Sequence, residues 1–279
     1  MFRRPRADPA TAPATDPDWR SFDRVAEVYD RIRTPLHQPA AEDLAEVIGP
    51  AVEGGFLDVG TGTGVLAAAA EAAGWSPSVG IDRSLEMIRR ARPRGVTRVA
   101  VADAVDLPFR DGTFAAVGSA FVLHTLPRYD TTLFDMLRVL RRGGTLGTAT
   151  WDWRDDEFTA TWRTVAESFT TKELLRDAWR RAAPWAERFS RPGPLEEALR
   201  DAGLRNVRVE RRQYRAQTSI EDYLAGREIS ALGRFLRQIL GEALWARFRE
   251  RARQEFRGRF HDPIGDTNDA LLAVGTKPA

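Results

Sequence analysis

Leu57-Asp58-Val59-Gly60-Thr61-Gly62-Thr63-Gly64 is a short apolar run that breaks into a glycine-rich turn, and Val65 to Ala73 behind it reads as a helix. A strand, a glycine turn and a helix in that order make the opening unit of a parallel α/β sheet, with a ligand at the turn. Glycines let the backbone take positive φ and come close to a ligand, because a Cβ would occupy the ligand's space. A dinucleotide site is the rival reading. Its fingerprint needs a third glycine one residue later than the Gly-x-Gly-x-Gly found here. Asp82 ends the next apolar run, Val79-Gly80-Ile81-Asp82, eighteen residues after Gly64. A carboxylate there can accept both hydroxyls of a ribose, which a dinucleotide or any other nucleoside ligand would offer.

Outward from this unit, β-branched runs alternate with helical stretches. The expected strands are residues 56–59, 79–81, 98–101, 115–121 and 145–150, with later ones at 207–209 and 270–274. Helices are expected at 65–73, at 84–91 behind an N-cap Ser84, at 133–140 with the Gly143-Gly144 pair as its stop, and at 195–202 with Gly203 as C-cap. Between the fifth strand and Leu195 aromatic residues accumulate, among them Trp151, Trp153, Trp162, Trp179 and Trp185. Phe158, Trp162, Val165 and Phe169 fall at helical spacing. Five tryptophans so close together suggest an apolar pocket, although any single one is more often core. A second helical insertion follows, with Ile229, Leu232, Leu236, Ile239 and Leu240 on one face.

The expected organisation is a disordered lead at 1–18, N-terminal cap helices at 19–50, a cofactor-binding core at 51–152 and a helical lid insertion at 153–194. A core helix and strand at 195–216, a second insertion at 217–267 and a last strand at 268–279 complete it. The lead alternates Pro, Ala, Thr and charge, with no apolar block long enough for a signal peptide or membrane span, so a cytoplasmic protein is expected. The absence of cysteine excludes disulfides, thiolate metal sites and a cysteine nucleophile, and three histidines argue against a histidine metal cluster. A formal charge of +2 with acids interleaved among the arginines gives no basic patch for nucleic acid. The expected partner is a small-molecule substrate, with neither nucleic acid nor membrane, and a homodimer is admitted.

A third element follows the third strand, Ala102-Asp103-Ala104-Val105-Asp106-Leu107-Pro108-Phe109. A carboxylate at that strand end can accept from an adenine amino group. With the glycine turn, Asp82-Arg83-Ser84-Leu85-Glu86-Met87 and Arg138-Val139-Leu140-Arg141-Arg142-Gly143-Gly144, the chain resembles the type 11 family of class I methyltransferases, the ubiquinone/menaquinone-biosynthesis-like group. The resemblance runs from Phe22 to Trp151 and more loosely from Leu195 to Val209. It implies a Rossmann-like, seven-stranded, mostly parallel α/β sheet with helices on both faces, helical lid insertions, and S-adenosylmethionine across the carboxyl edge. On that resemblance Gly60, Thr61 and Gly62 pass under the methionine part, Asp58 holds the turn near its amino group, and Asp82 with Arg83 takes the ribose side. Met87 then covers the adenine, Asp103 and Ala104 border its amine, and Ser119 and Phe121 line the sulfonium end. Ala115 departs from the family's usual Asp after Phe114. Phe22 to Arg33 is similar to the family's opening helix, making Tyr29 a cofactor or substrate contact and Arg33 a partner for the methionine carboxylate.

His124 is the histidine that follows a central strand, so it reads either as a general base or as a hydrogen-bonded structural histidine. Met87 likewise reads either as packing or as cofactor cover. The expected activity is methyl transfer to a small, apolar or aromatic biosynthetic intermediate. Cyclisation or isomerisation of a natural product on the same fold is the alternative. A nicotinamide-dependent oxidoreductase stands third, disfavoured by the glycine spacing and by Asp103. A nucleic-acid methyltransferase is less favoured again, because Ser119-Ala120-Phe121 lacks the polar-Pro-Pro-aromatic loop of a flipped-base site.

Overall fold

The structure, a computed structural model, describes residues 21–152 and 156–279. The expected disordered lead and Trp153 lie outside the described residues. After a 3-10 turn at Asp23–Val25 come α1 (Ala26–Ile32) and α2 (Thr34–Ile48), then β1 (Phe56–Val59), α3 (Val65–Ala72), β2 (Ser78–Asp82), α4 (Leu85–Ala91) and β3 (Val99–Val101). The chain continues through β4 (Phe114–Ala120), a 3-10 turn at Leu123–Thr125, α5 (Tyr129–Val139) and β5 (Leu140–Trp151). It then forms α6 (Glu157–Glu167), α7 (Lys172–Ala182), α8 (Ala186–Phe189), α9 (Pro192–Asp201), β6 (Arg205–Thr218), α10 (Ile220–Glu228), α11 (Ala231–Arg259) and β7 (Ile264–Thr276).

The sheet has seven strands in the order β3-β2-β1-β4-β5-β7-β6. β1 to β5 run parallel, and β7 pairs antiparallel with both β5 and β6. Alternation along β1 sorts the two faces. Leu57 and Val59 join a buried layer with residues of α5 and α9, whereas Phe56 packs with Leu44 of α2 and Leu66 of α3.

The Gly143-Gly144 pair does not stop a helix as expected. α5 ends at Val139, and the pair lies inside β5 with Gly143 at φ +72°, where the β4–β5 register shifts between Phe114 and Ala116. The last two strands are longer than their apolar cores at 207–209 and 270–274. β6 is an edge strand built largely of exposed Arg, Glu and Gln, so a search for apolar runs finds only a short stretch near its start.

That extra length positions the lid. Trp151, the last residue of β5, pairs with Ala270, so residues 264–269 of β7 and their partners in β6 run on past the carboxyl edge of the parallel strands. At ~3.3 Å per residue this overhang is roughly 20 Å. The two insertions expected separately share one apolar core: Trp162 and Val165 of α6, Leu175 of α7, Leu224 of α10, and Leu236, Trp245, Phe248 and Phe256 of α11. Trp185 instead packs against the central core with Tyr129, so the tryptophans of the first insertion do not form one wall. Among the described residues no helix is long and apolar enough to cross a membrane.

Candidate functional site

β1 delivers its chain to the carboxyl edge, and the turn Gly60 to Gly64 is bound to β2 through the N–H groups of Gly60 and Thr61, both donating to the Ile81 carbonyl (2.9 and 2.7 Å). Its three glycines serve two different ends. A Cβ on Gly60 would lie 2.5 Å from Val122 Cγ2, and one on Gly64 would lie 2.8 Å from Ala91 Cβ, so both make room for protein. Only Gly62 matches the expectation of open space: nothing lies within 4 Å of its Cβ position, at φ +54°.

Asp58 lies beneath the turn, where one carboxylate oxygen accepts from Thr61 Oγ1 (2.7 Å) and from the Ala67 N–H (3.1 Å). Burial pushes its pKa up to about 7, against the lowering effect of those two bonds. Its other oxygen, Oδ1, is buried with no hydrogen-bond partner among the described residues. Asp82, at the end of β2, accepts from the Gly62 N–H (2.9 Å) through Oδ2 and from the Ser84 N–H (2.8 Å) through Oδ1. Burial raises its pKa, and these bonds restrain the rise. A carboxylate held at both oxygens by backbone keeps one fixed orientation toward the edge.

Asp103 stands beyond β3, the strand beside β2, and is half-exposed with Arg83 Nε 4.0 Å away. The acidic tips of adjacent strands therefore share one edge. Ala104 is buried beside them in the central core. Met87 is buried in the first turn of α4, its N–H donating to the Ser84 cap (3.2 Å). Ser119 differs from its expected place: it is fully buried, and its hydroxyl donates to the Val59 carbonyl (2.8 Å), tying β4 to β1. Phe121, two residues on, is half-buried at the edge with φ +61°, a strained value for a non-glycine residue.

The N-terminal cap covers this edge. Tyr29, Arg33 and His37 repeat every four residues along the nearly continuous α1 and α2, which puts them on one face. Tyr29 Oη and His37 Nδ1 are 3.0 Å apart. The His37 ring stacks on Phe121 at 4.9 Å between centroids, and Phe121 stacks on Trp151 at 4.2 Å. Burial drives the His37 pKa down to about 3 and the Tyr29 pKa up to about 12, so His37 is neutral and Tyr29 protonated at neutral pH. Arg33 Nη2 donates to the Gly226 carbonyl of α10 at 2.9 Å. His124 is buried in the 3-10 turn after β4, near enough for its charge to act on His37, and burial pulls its own pKa down to about 4.

His37 was not among the expected site residues, although its spacing from Tyr29 and Arg33 carried the signal. Asp23 was also missed: Oδ1 accepts from Ser84 Oγ (2.5 Å) and the Glu86 N–H (3.2 Å), fastening the cap to the start of α4. Arg94 to Asp30 (2.6 Å) makes a second tie to the core, and Arg31 to Asp222 (2.6 Å) a tie to the lid. The residues suit an adenosine cofactor bearing an amino acid tail. Open space at Gly62 lies beside the fixed Asp82 carboxylate, and the Asp58 Oδ1 without a partner among the described residues is the acceptor that an amino group brought to the turn would satisfy.

Residues 57–147 match the protein family described as "Methyltransferase domain" (type 11). A demethylmenaquinone methyltransferase of Roseiflexus castenholzii is 35% identical over 137 residues, which is 46% of this chain and 57% of that protein. The match thus spans little more than half the length of that relative. Nocamycin O-methyltransferase of Saccharothrix syringae is 30% identical over 204 residues, 67% of this chain and 72% of that protein. Among solved structures, phosphoethanolamine N-methyltransferase 2 of Haemonchus contortus, in complex with S-adenosyl-L-methionine, aligns with TM-score 0.58 and 16% identity over 95% of this chain and 61% of that one. A SAM-dependent methyltransferase of Thermotoga maritima aligns with TM-score 0.53 and 18% identity over 93% and 99%. At such identities the structural likeness bears on the fold.

Proposed function

The chain belongs to the type 11 family of class I S-adenosylmethionine-dependent methyltransferases, and on that premise we propose that it moves a methyl group from S-adenosylmethionine to a nucleophilic atom of a small organic molecule with an apolar or aromatic body. The observation that carries this reading is the Asp82 carboxylate, held by the Gly62 and Ser84 N–H groups beside the open side of Gly62 and under an aromatic cap. The names of the two curated relatives support a small organic acceptor.

Bound S-adenosylmethionine supplies a methyl carbon made electrophilic by its sulfonium. Asp82, flanked by Arg83, would accept from the ribose hydroxyls, while Asp103 and Ala104 would border the adenine and buried Met87 would back it. Asp58 Oδ1 and Arg33 would meet the two ends of the amino acid tail, with Gly60, Thr61 and Gly62 forming the floor. Phe121, His37 and Trp151 form a stack that excludes water from the edge and gives a flat acceptor a surface to lie on. Holding the reactants in line in a dry site is the main contribution to rate. His124 is neutral at pH 7 and would receive a proton from an acceptor that must lose one. The proposal includes a cytoplasmic site of action and no nucleic-acid partner, supported by the interleaved charge.

Isothermal titration with S-adenosylmethionine tests the reading, and no binding at millimolar cofactor would sink it. Mass analysis of the product decides the reaction, since methyl transfer adds one methyl group and a cyclisation or isomerisation adds none.

A further inference from the structure

The lid carries an arginine for which the proposed chemistry has no use. Arg227 follows Gly226, the residue whose carbonyl accepts from Arg33, and its Cζ stands 4.8 Å from the centre of the Trp162 ring. Its Nε is buried with no hydrogen-bond partner among the described residues. A buried N–H of a charged group left without an acceptor is costly, and the described residues supply none, so the site suits an acceptor brought by a ligand. Asp156 and Asp266, whose charges act on Tyr223 as Arg227's does, are bonded to other groups: Asp156 accepts from the Thr159 N–H, and Asp266 from Asn268 Nδ2.

Hydrogen bonding and chain order place Arg227 next to the cap. Tyr29 and Arg33 lie on one face of α1 and α2, Arg33 Nη2 donates to the Gly226 carbonyl at 2.9 Å, and Arg227 is the next residue, turned to the Trp162 ring of the lid. On the methyltransferase reading Arg33 meets the cofactor tail, and Arg227 follows the residue that Arg33 holds. With the Trp162 ring 4.8 Å from the Arg227 Cζ and Nε left without an acceptor among the described residues, the donor pair of a guanidinium is available in kind for a planar carboxylate. Tyr223, Phe158 and Trp162 give the surroundings an aromatic lining.

We propose that Arg227 binds a carboxylate carried by the methyl acceptor, so that the lid holds the acidic end of an aromatic substrate while its reacting atom faces the cofactor. This rests on the methyltransferase reading above. The carboxylate acts as a handle that sets the acceptor's direction, and the lid thereby selects acids over their neutral counterparts.

The test is calorimetric titration of the protein saturated with S-adenosylhomocysteine, using benzoate, 1-naphthoate and indole-3-acetate against the corresponding amides. At least one acid should bind about tenfold more tightly than its amide. Arg227→Gln should erase that preference, Arg227→Lys should keep part of it, and S-adenosylhomocysteine affinity should stay within about twofold in both variants. The retained affinity also reports that each variant is folded. Equal binding of acids and amides, or no acid binding while S-adenosylhomocysteine binds normally, would overturn the proposal. An equal loss of S-adenosylhomocysteine affinity in Arg227→Gln would overturn it too, and would assign Arg227 to the cofactor tail. Failure of the wild-type protein to bind S-adenosylhomocysteine would remove the underlying methyltransferase reading, a result distinct from the others.

Discussion

The Tyr29 hydroxyl lies 3.0 Å from His37 Nδ1, joining α1 to α2 directly over the carboxyl edge of the sheet. With His37 held neutral and Tyr29 held protonated by burial, the hydroxyl donates and the imidazole accepts. Tyr29→Phe strands a buried acceptor, a loss of about 1–3 kcal/mol. We expect a melting temperature lowered by several degrees and S-adenosylmethionine affinity weakened several-fold. Unchanged values in a thermal melt and a titration would show that this contact does not organise the cap.

Asp82 and Asp103 share the edge but are held differently. Asp82→Asn places an amide N–H against one of two backbone donors, and affinity for S-adenosylmethionine should fall by about 1.5–3 kcal/mol, roughly 10- to 100-fold. Asp103 is half-exposed, so Asp103→Asn should weaken binding by less than about fivefold. Titration calorimetry on both variants checks the order, and a larger effect at Asp103 would reverse the assignment of the ribose and adenine ends.

The first two glycines of the turn separate folding from binding. Gly60→Ala drives a Cβ to 2.5 Å from Val122 at φ +74° and should destabilise by about 2–4 kcal/mol. Gly62→Ala meets no atom, so its cost is the left-handed backbone alone, about 1–2 kcal/mol. The second variant should therefore melt closer to wild type yet lose most cofactor affinity. Retained binding in Gly62→Ala would mean that the open space beside it is not the cofactor's.

Acid and base act oppositely on stability here. The folded pKa values of His37 and His124, about 3 and about 4, lie below the ordinary 6.5. Below pH 6.5 the unfolded chain binds more protons, so their contribution is whole above 6.5 and is lost as pH falls, by up to about 1.4 kcal/mol per pH unit for each. The Asp58 value is raised from 3.8 to about 7, so its contribution is whole below 3.8 and is lost as pH rises toward 7. Urea titrations should show the stability gap between wild type and His124→Gln narrowing from pH 6.5 to pH 4. The gap between wild type and Asp58→Asn should narrow from pH 4 to pH 7. Parallel curves would mean that these groups are solvated in the folded protein.

The positions of strands β1 to β4 along the chain, the turn between β1 and α3, and the acidic tips Asp82 and Asp103 were all legible in the sequence, because local pattern specifies them: β-branched runs, glycines at fixed spacing and carboxylates at strand ends. Ser84 was readable as a helix cap for the same reason. The tertiary structure alone decided what lies far apart in sequence. It turned Ser119 inward onto Val59, set Val122 against Gly60, and merged two insertions into one lid on the overhang of β6 and β7. It also brought Arg33 to Gly226, 193 residues away. No single segment encodes such contacts, since each depends on apolar faces finding one another once the sheet exists. For that reason the end of the site proposed for adenosine could be read from short motifs, while the end proposed for the acceptor required the assembled lid.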